Sequence, residues 1–212
     1  MRCGPYFIEF DKTGFPLIKR EEWKFFISLF PVSKYQFERF MADVGPIDKL
    51  YTDAWYRKIL EVSQRQSWRK AEFTKTPWKM FLTGVPLEEI IPFLKYLGKG
   101  FRLPKAEEWR KLLEYSKELK NLKRELIACL EAFENLPAPP VLFWIEKGLY
   151  PLVEEGLLEM IETEKSPSKD EVICIGKAWQ GLWPNTFSPE SIKIIDFVLL
   201  PKAVGFRVVK EV

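Results

Sequence analysis

The most informative stretch of the chain is Phe101-Arg102-Leu103-Pro104-Lys105-Ala106-Glu107-Glu108-Trp109. It joins a short apolar turn to a strongly amphipathic segment, in which Trp109 and the leucines after it recur at helical spacing. The stretch places one arginine, two glutamates and one tryptophan within about two helical turns. This combination predicts a turn that leads directly into a helix, whose first residues carry both charge and a large aromatic ring.

The composition is that of a globular protein with an aromatic-rich core. The chain has 212 residues, of which 47% are hydrophobic and 15% aromatic, so we expect one domain with a substantial core. Its net charge of +3 gives no general reason to expect binding to nucleic acid or to an anionic membrane. Histidine is absent, which removes the commonest general base and the commonest metal ligand.

The cysteines indicate a reducing compartment. Cys3, Cys129 and Cys174 are odd in number and lack the spacing of a zinc site, so we expect reduced, buried thiols in a cytoplasmic protein. No apolar run approaches the roughly 20 residues of a membrane span, and the first residues do not open a signal peptide. Asn and Gln are scarce beside abundant Lys and Glu, a bias that favours a thermophilic source.

The N-terminal part predicts two strands and a helix. Alternating apolar residues predict strands over residues 6–10 and 23–30, with a turn at residues 11–14 between them. A capping box formed by Ser33 and Gln36 predicts a helix over residues 34–44.

The middle of the chain predicts two longer helices. The first begins after Pro86, and Pro92 is expected to kink or break it. Its predicted apolar stripe consists of Leu87, Ile90, Ile91, Leu94 and Leu97. The second follows Pro104 and should break near residues 120–121, because an unbroken helix to residue 135 would be long for a globular domain.

The C-terminal part predicts further strands. They cover residues 141–145, 172–176, 194–200 and 205–209, and residues 181–191 form a long aromatic loop. Together these elements predict a single α+β domain over residues 1–212, with a helical insertion near residues 46–78.

Residues 49–79 mix cations with aromatic rings. This segment contains eight basic residues, interleaved with tryptophan, tyrosine and phenylalanine. Such a mixture can bind single-stranded nucleic acid through stacking and charge. The favoured interpretation is an inserted helical segment whose charges are solvated, since the sequence carries no RNA-binding motif.

Six segments, taken in chain order, match the motifs of one protein family. Residues 26–40 are similar to F-x-I-x-x-x-P-V-T-x-x-Q-Y-x-x-F, residues 83–97 to P-V-x-x-V-x-W-x-x-A and residues 102–110 to R-L-P-T-E-A-E-W-E. Residues 156–160, 175–179 and 205–209 are similar to parts of G-L-x-D-M-x-G-N-V-x-E-W, R-G-G-S-W and G-F-R-V-V. The chain thus resembles the sulfatase-modifying factor family, which includes the formylglycine-generating enzymes. The resemblance implies a C-type lectin-like fold, with short twisted antiparallel sheets and two or three packed helices.

The catalytic residues of that family have no counterparts in this chain. Formylglycine-generating enzymes bind copper through paired cysteines after R-G-G-S-W, whereas no cysteine follows Cys174. Relatives that make sulfur-containing betaines hold iron with histidines, which are missing here. The resemblance therefore implies a protein without catalysis or a cofactor. Its layout is also similar to the variable proteins of diversity-generating retroelements, whose C-terminal region displays a ligand-binding surface.

The resemblance gives the first-quoted stretch a structural role. In the family the motif's arginine and glutamate are structural, so Arg102 is expected to pair with Glu107 or Glu108 while Trp109 fills the core. Arg207, in the segment similar to G-F-R, belongs to the same structural set. An acid–base pair is the alternative interpretation. It is disfavoured, because an arginine lowers the pKa of the glutamate that it holds and makes it a poor base near neutral pH.

The predicted ligand-binding residues lie in the aromatic segment over residues 179–187: Trp179, Gln180, Trp183, Asn185 and Phe187. Large aromatic rings beside amide groups are typical of binding hot spots. Trp179 can also be interpreted as a residue of the hydrophobic core. We expect the partner to be a protein or a small molecule.

Two other functions are compatible with the sequence. One is a divergent enzyme, whose site would be built from the carboxylates of Glu154, Glu155, Glu159 and Glu162. The other is a nucleic-acid-associated accessory factor that uses residues 49–79.

Overall fold

The computed structural model describes residues 1–44, 80–132, 138, 140–163, 171–178, 188–196 and 203–212. Within these ranges the chain forms ten strands, arranged in two sheets, and six helices. The predicted α+β fold class is confirmed. The predicted insertion at residues 46–78 and the loop residues 179–187 lie outside the described residues.

The first sheet joins the N-terminal strands to the last strand of the chain. Its antiparallel strands are, in spatial order, β1 (Arg2–Cys3), β2 (Tyr6–Phe10), β3 (Pro16–Arg20), β4 (Phe25–Ser28), β10 (Val209–Glu211) and β5 (Phe101–Arg102). Val209 pairs with Ile27 on one side and with Arg102 on the other. The strand predicted over residues 6–10 is confirmed, and β4 lies within the one predicted over residues 23–30. The sequence pattern misses β3, which begins with a proline and does not alternate.

The second sheet has one parallel pair. Its spatial order is β8 (Lys193–Asp196), β7 (Glu171–Gly176), β6 (Leu158–Met160) and β9 (Val204–Phe206). The pair β6–β9 is parallel and the other pairs are antiparallel. The strand predicted over residues 172–176 is confirmed. The single strand predicted over residues 205–209 is wrong, because Arg207 and Val208 separate β9 from β10 and the two strands join different sheets.

Helix α1 (Lys34–Val44) has the predicted bounds and the predicted cap. The Gln36 N–H donates to Ser33 Oγ at 3.2 Å, and the Ser33 N–H donates to Gln36 Oε1 at 2.9 Å. Gln36 Nε2 also donates to Asp11 Oδ2 at 2.9 Å. The capping box therefore fixes the helix start and ties it to the turn after β2.

Helix α2 (Leu87–Leu97) continues through Pro92, so the expected break does not occur. Pro92 lies inside the helix and removes the hydrogen bond that its N–H would otherwise donate. The predicted stripe is correct only in part, because Leu87 and Ile91 are 44% and 43% exposed. The buried face includes Phe93, whose ring lies 5.6 Å from that of Phe40 on α1. Packing of these rings rotates the helix away from the face that the sequence indicates.

The long amphipathic segment forms three short helices, α3 (Ala106–Glu114), α4 (Ser116–Asn121) and α5 (Lys123–Glu131). The break predicted near residues 120–121 falls at Leu122, and a further break occurs at Tyr115.

The strand predicted over residues 141–145 is wrong, because these residues lie in α6 (Pro140–Glu146). A short apolar run does not distinguish a buried strand from a buried helix. Pro140 is the first residue of α6, where its missing N–H costs nothing. Val141, Trp144 and Ile145 are then buried at helical spacing.

The buried side chains form two clusters, both rich in aromatic rings. The first contains Trp23, Trp109 and Trp144, and the second contains Phe40 and Phe93. The predicted aromatic core is therefore confirmed. None of the helices in the described ranges is both long and apolar enough to cross a lipid bilayer.

Candidate functional site

Arg102 forms a clamp at the start of α3. Its Nη1 and Nη2 donate to the two carboxylate oxygens of Glu108 at 2.8 and 2.7 Å. Its Nε donates to Glu211 Oε1 at 2.8 Å, so the guanidinium also holds the last strand. The predicted pairing is confirmed with Glu108 as the partner. Glu107 is exposed and has Arg110 as its neighbour, at 3.8 Å.

Acid should weaken this clamp. Partial burial alone would raise the pKa of Glu108, but hydrogen bonds from Arg102 and from the Lys105 N–H lower it below its ordinary value of 4.5. The pKa of Glu108 in the folded state is thus below its pKa in the unfolded state. The pair therefore stabilises the fold above the unfolded-state pKa, and this contribution is lost as the pH falls through the folded-state pKa. We expect the melting-temperature difference between wild type and Glu108→Gln to be largest near about pH 7 and to shrink below about pH 4.

Glu107→Gln is the matched control, because Glu107 is the adjacent carboxylate and is exposed. Its melting temperature should follow that of wild type across the same titration. A Glu108→Gln deficit of the same size at about pH 3 and about pH 7 would contradict the assignment.

Trp109, which follows the clamp in the chain, is hydrogen-bonded to a buried ion pair. Its Nε1 donates to Glu159 Oε2 at 3.1 Å. Glu159 lies on β6 and also accepts hydrogen bonds from Nε and Nη2 of Arg207, each at 2.9 Å. Both charged side chains are fully buried. Trp109 fills the core, as expected, and Arg207 is buried with it, whereas the sequence did not identify Glu159 as their partner.

The remaining Arg207 donors hold backbone from two other parts of the chain. Nη1 donates to the Ser28 carbonyl at 2.7 Å, and Nη2 donates to the Pro151 carbonyl at 2.6 Å. Ser28 ends β4, and its Oγ accepts the Val208 N–H at 3.2 Å. Arg207 therefore joins both sheets at the centre of the fold. Both carboxylate oxygens of Glu159 are thus hydrogen-bonded within a buried polar network.

The described residues that flank the aromatic loop are tied to each other. The loop connects β7 to β8, which pair from Cys174–Lys193 onward. The Gly176 N–H donates to the Pro189 carbonyl at 2.9 Å. Lys193 Nζ donates to the carbonyls of Gly176, Ser191 and Ser188 at 2.8, 2.9 and 3.2 Å. Partial burial lowers the pKa of Lys193, and the three carbonyls offset the cost of burying its ammonium group.

Helix α3 holds the same loop base from the side. Arg110 donates to the Glu190 carbonyl from Nε and Nη2, at 3.1 and 3.0 Å. Trp109 lies against Gly176, since a Cβ added there would be 3.4 Å from Cζ2 of the ring. The residues after the Arg102 clamp thus contact both sides of the loop base, which comprises Gly176, Ser188, Pro189, Glu190, Ser191 and Lys193.

The predicted ligand-binding residues themselves are not described. Trp179, Gln180, Trp183, Asn185 and Phe187 fall within residues 179–187. The residue that precedes them, Ala178, is fully buried and bridges to Gly156. Ala178, the last described residue before this segment, is therefore held in the core.

Three of the four carboxylates of the divergent-enzyme alternative have different partners. Glu154 accepts from Lys120 and Ser116, Glu159 belongs to the buried pair, and Glu162 lies 3.4 Å from Arg102. In the described part of the chain, no group of three or more His, Cys, Asp or Glu side chains could hold a metal ion.

The sequence signals for the buried ion pair and for the loop base are weak but present. Glu159 is a single acid within the apolar run Leu157–Ile161, and Lys193 is a single cation between Ile192 and Ile194. A lone charge inside a strand signals a specific partner, although the sequence does not say which one.

The chain matches no protein-family model and no curated protein, so the functional conclusion depends on the residues of this loop base.

Proposed function

We propose that the chain is a noncatalytic protein that binds a protein or small-molecule ligand through residues 179–187. The observation that carries this proposal is the loop base, in which Lys193 joins the two ends of the segment and Arg110 holds it from α3. The segment itself contains Trp183, Phe187 and the amide of Asn185. The segment thus combines residue types that are typical of binding hot spots with flanking residues that the loop base holds in place.

A fixed base matters for affinity. Binding by a loop costs the conformational entropy of ordering it, and anchoring the loop ends in advance reduces that cost. Three carbonyls on one ammonium and two donors on the Glu190 carbonyl restrain both ends of the segment.

The proposed scaffold is the C-type lectin-like fold of the sulfatase-modifying factor family. Support comes from the places that the matching segments occupy. The segments at residues 26–40, 102–110 and 205–209 meet where β10 lies between β4 and β5. The segments at residues 156–160 and 175–179 pair in the second sheet, beside β9. Segments that were matched separately in the sequence are therefore neighbours in space.

The absence of catalysis is proposed on chemical grounds. The sequence has no histidine and no cysteine after Cys174, so the copper and iron ligands of the family are missing. The candidate carboxylates of Glu154, Glu159 and Glu162 belong to three separate ion pairs.

Substitutions in the loop test the proposal. Trp183→Ala and Asn185→Ala should each reduce ligand capture by about tenfold or more, while the melting temperature stays within about 2 °C of wild type. Capture is measured with the immobilised protein, by mass spectrometry of proteins retained from an extract of the organism that encodes it. A parallel arm measures melting-temperature shifts with a panel of sugars and metabolites.

Phe143→Ala is the matched control. Phe143 is a partly exposed aromatic residue on α6, and α6 contributes nothing to the loop base. Its loss should leave capture unchanged, so a drop seen only with the loop variants assigns the binding to the loop. If Trp183→Ala and Asn185→Ala both retain everything that wild type retains, the loop is not the binding site.

A further inference from the structure

Two cysteines that are distant in sequence meet at the edge of the first sheet. Cys3 lies on β1 and Cys129 on α5, and the proximity of the Cys129 thiol helps to raise the pKa of Cys3. The Cys129 thiol also reaches the Arg2 carbonyl, at 3.8 Å. Cys3 is buried, whereas Cys129 is partly exposed. Cys174 belongs to the other buried cluster and takes no part in this contact.

The backbone around the pair is held close. Cα atoms of β1 and α5 approach within 8 Å of each other. The turn after β1 packs on the start of α5, since a Cβ added at Gly4 would lie 3.4 Å from a methyl group of Leu122. A disulfide requires neighbouring backbones. The contact of Cys129 Sγ with the carbonyl of Arg2, the residue before Cys3, places the two cysteines on neighbouring backbones.

We propose that Cys3 and Cys129 form an intramolecular disulfide when the protein meets a low-molecular-weight disulfide such as oxidised glutathione. The Cys129 thiolate attacks one glutathione sulfur, and the other glutathione leaves as a thiol after taking up a proton. Cys3 then gives up its proton and its sulfur attacks Cys129 Sγ, and the second glutathione leaves as a thiol after taking up a proton. Two protein thiols are oxidised and one glutathione disulfide is reduced, so the electrons and protons balance.

The environment of the two sulfurs sets this order. Burial, the hydrogen bond to Cys129 and the charge of Glu125 together raise the pKa of Cys3 to about 12. Cys3 is therefore almost entirely a thiol at neutral pH, and its burial excludes the oxidant. Cys129 is the accessible sulfur, so it reacts first and Cys3 resolves the mixed disulfide.

The disulfide would tie the edge strand β1 to a helix more than a hundred residues later in the chain. Cross-links that close long loops restrict the unfolded chain most and so stabilise the fold. We expect the melting temperature to rise by roughly 10 °C on oxidation. Reduction by dithiothreitol should reverse the rise.

The test uses the intact chain and oxidised glutathione as the probe. After oxidation and alkylation of free thiols, non-reducing trypsin digestion should give peptide 3–12 joined to peptide 125–147. Their joined mass should be lower than the sum of the two peptides by the mass of two hydrogen atoms. A digest in which Cys129 carries only glutathione, or is joined to Cys174 or to a second molecule, overturns the proposal.

Three variants sharpen the test, and the wild-type digest decides it even if a variant fails to fold. Cys174→Ala should form the same cross-linked peptide as wild type. Cys3→Ala should accumulate the mixed disulfide between Cys129 and glutathione, because the resolving thiol is missing. Cys129→Ala should stay unmodified at Cys3, which is 2% exposed. Equal glutathione loading in Cys3→Ala and wild type overturns the proposal.

Discussion

Replacing Arg207 by methionine should lower the free energy of unfolding by about 3–5 kcal/mol, the range for removing one partner of a buried ion pair. Methionine retains much of the side-chain volume, so the loss is chiefly electrostatic. The variant deprives the fully buried Glu159 of two guanidinium hydrogen bonds. The Ser28 and Pro151 carbonyls lose their Arg207 donors as well.

Urea denaturation at neutral pH measures this loss, and the melting temperature should fall by an amount on the order of 10 °C. Lys120→Met is the matched control, because Lys120 forms a hydrogen-bonded ion pair with Glu154 in which both side chains are more than 40% exposed. That exposed pair should contribute less than about 1 kcal/mol. Losses of equal size in the two variants would show that burial does not amplify the Arg207 pair.

The double variant Arg207→Met with Glu159→Met separates the two causes of the loss. It removes both charges, so no uncompensated carboxylate remains buried in the fold. We expect it to be more stable than Arg207→Met alone, because the desolvation penalty of Glu159 disappears. The two backbone carbonyls still lack their donors, so stability should not return fully to that of wild type.

Local sequence signals predicted the elements that depend on local chemistry. The Ser33–Gln36 capping box gave α1 its observed bounds, and Arg102 pairs with Glu108 at the start of α3 as the motif indicated. Both features arise from residues only a few positions apart. A short window of the sequence therefore contains all the residues that form each of these two features.

Elements that depend on distant partners were predicted less well. Residues 141–145 were expected as a strand, but Trp144 packs against Phe15 and Phe30 and the run is helical. The apolar face of α2 turns toward Phe40, so Ile91 is exposed. A short apolar run is compatible with either structure, and tertiary packing decides between them.

The candidate site also has features that the sequence shows and features that depend on distant partners. The aromatic composition of residues 179–187 is visible in the sequence, and it suggests binding. The contact between Arg110 and Glu190 in the loop base is not visible, because the two residues are separated by many positions and nothing in the sequence marks them as partners. The described geometry adds the link between them: the helix that begins at the Arg102 clamp also holds the loop.

Gly176→Ala should be strongly destabilising and should also impair the loop base. Gly176 has a φ of +103°, and a Cβ there would lie 2.6 Å from the Leu157 carbonyl oxygen and 3.4 Å from the Trp109 ring. Left-handed backbone strain and the clash with backbone together should cost about 2–4 kcal/mol. The Gly176 N–H and carbonyl bind Pro189 and Lys193, so any shift that relieves the clash displaces the loop base.

Gly148→Ala is the control that separates strain from clash. Gly148 has a φ of +72°, but no atom lies within 4 Å of an added Cβ. It should therefore lose only the strain component, about 1–2 kcal/mol, and retain ligand capture. Chemical denaturation and the capture assay, applied to both variants, give the comparison. A Gly176→Ala protein that unfolds like Gly148→Ala and captures as much ligand as wild type would show that Gly176 does not fix the loop base.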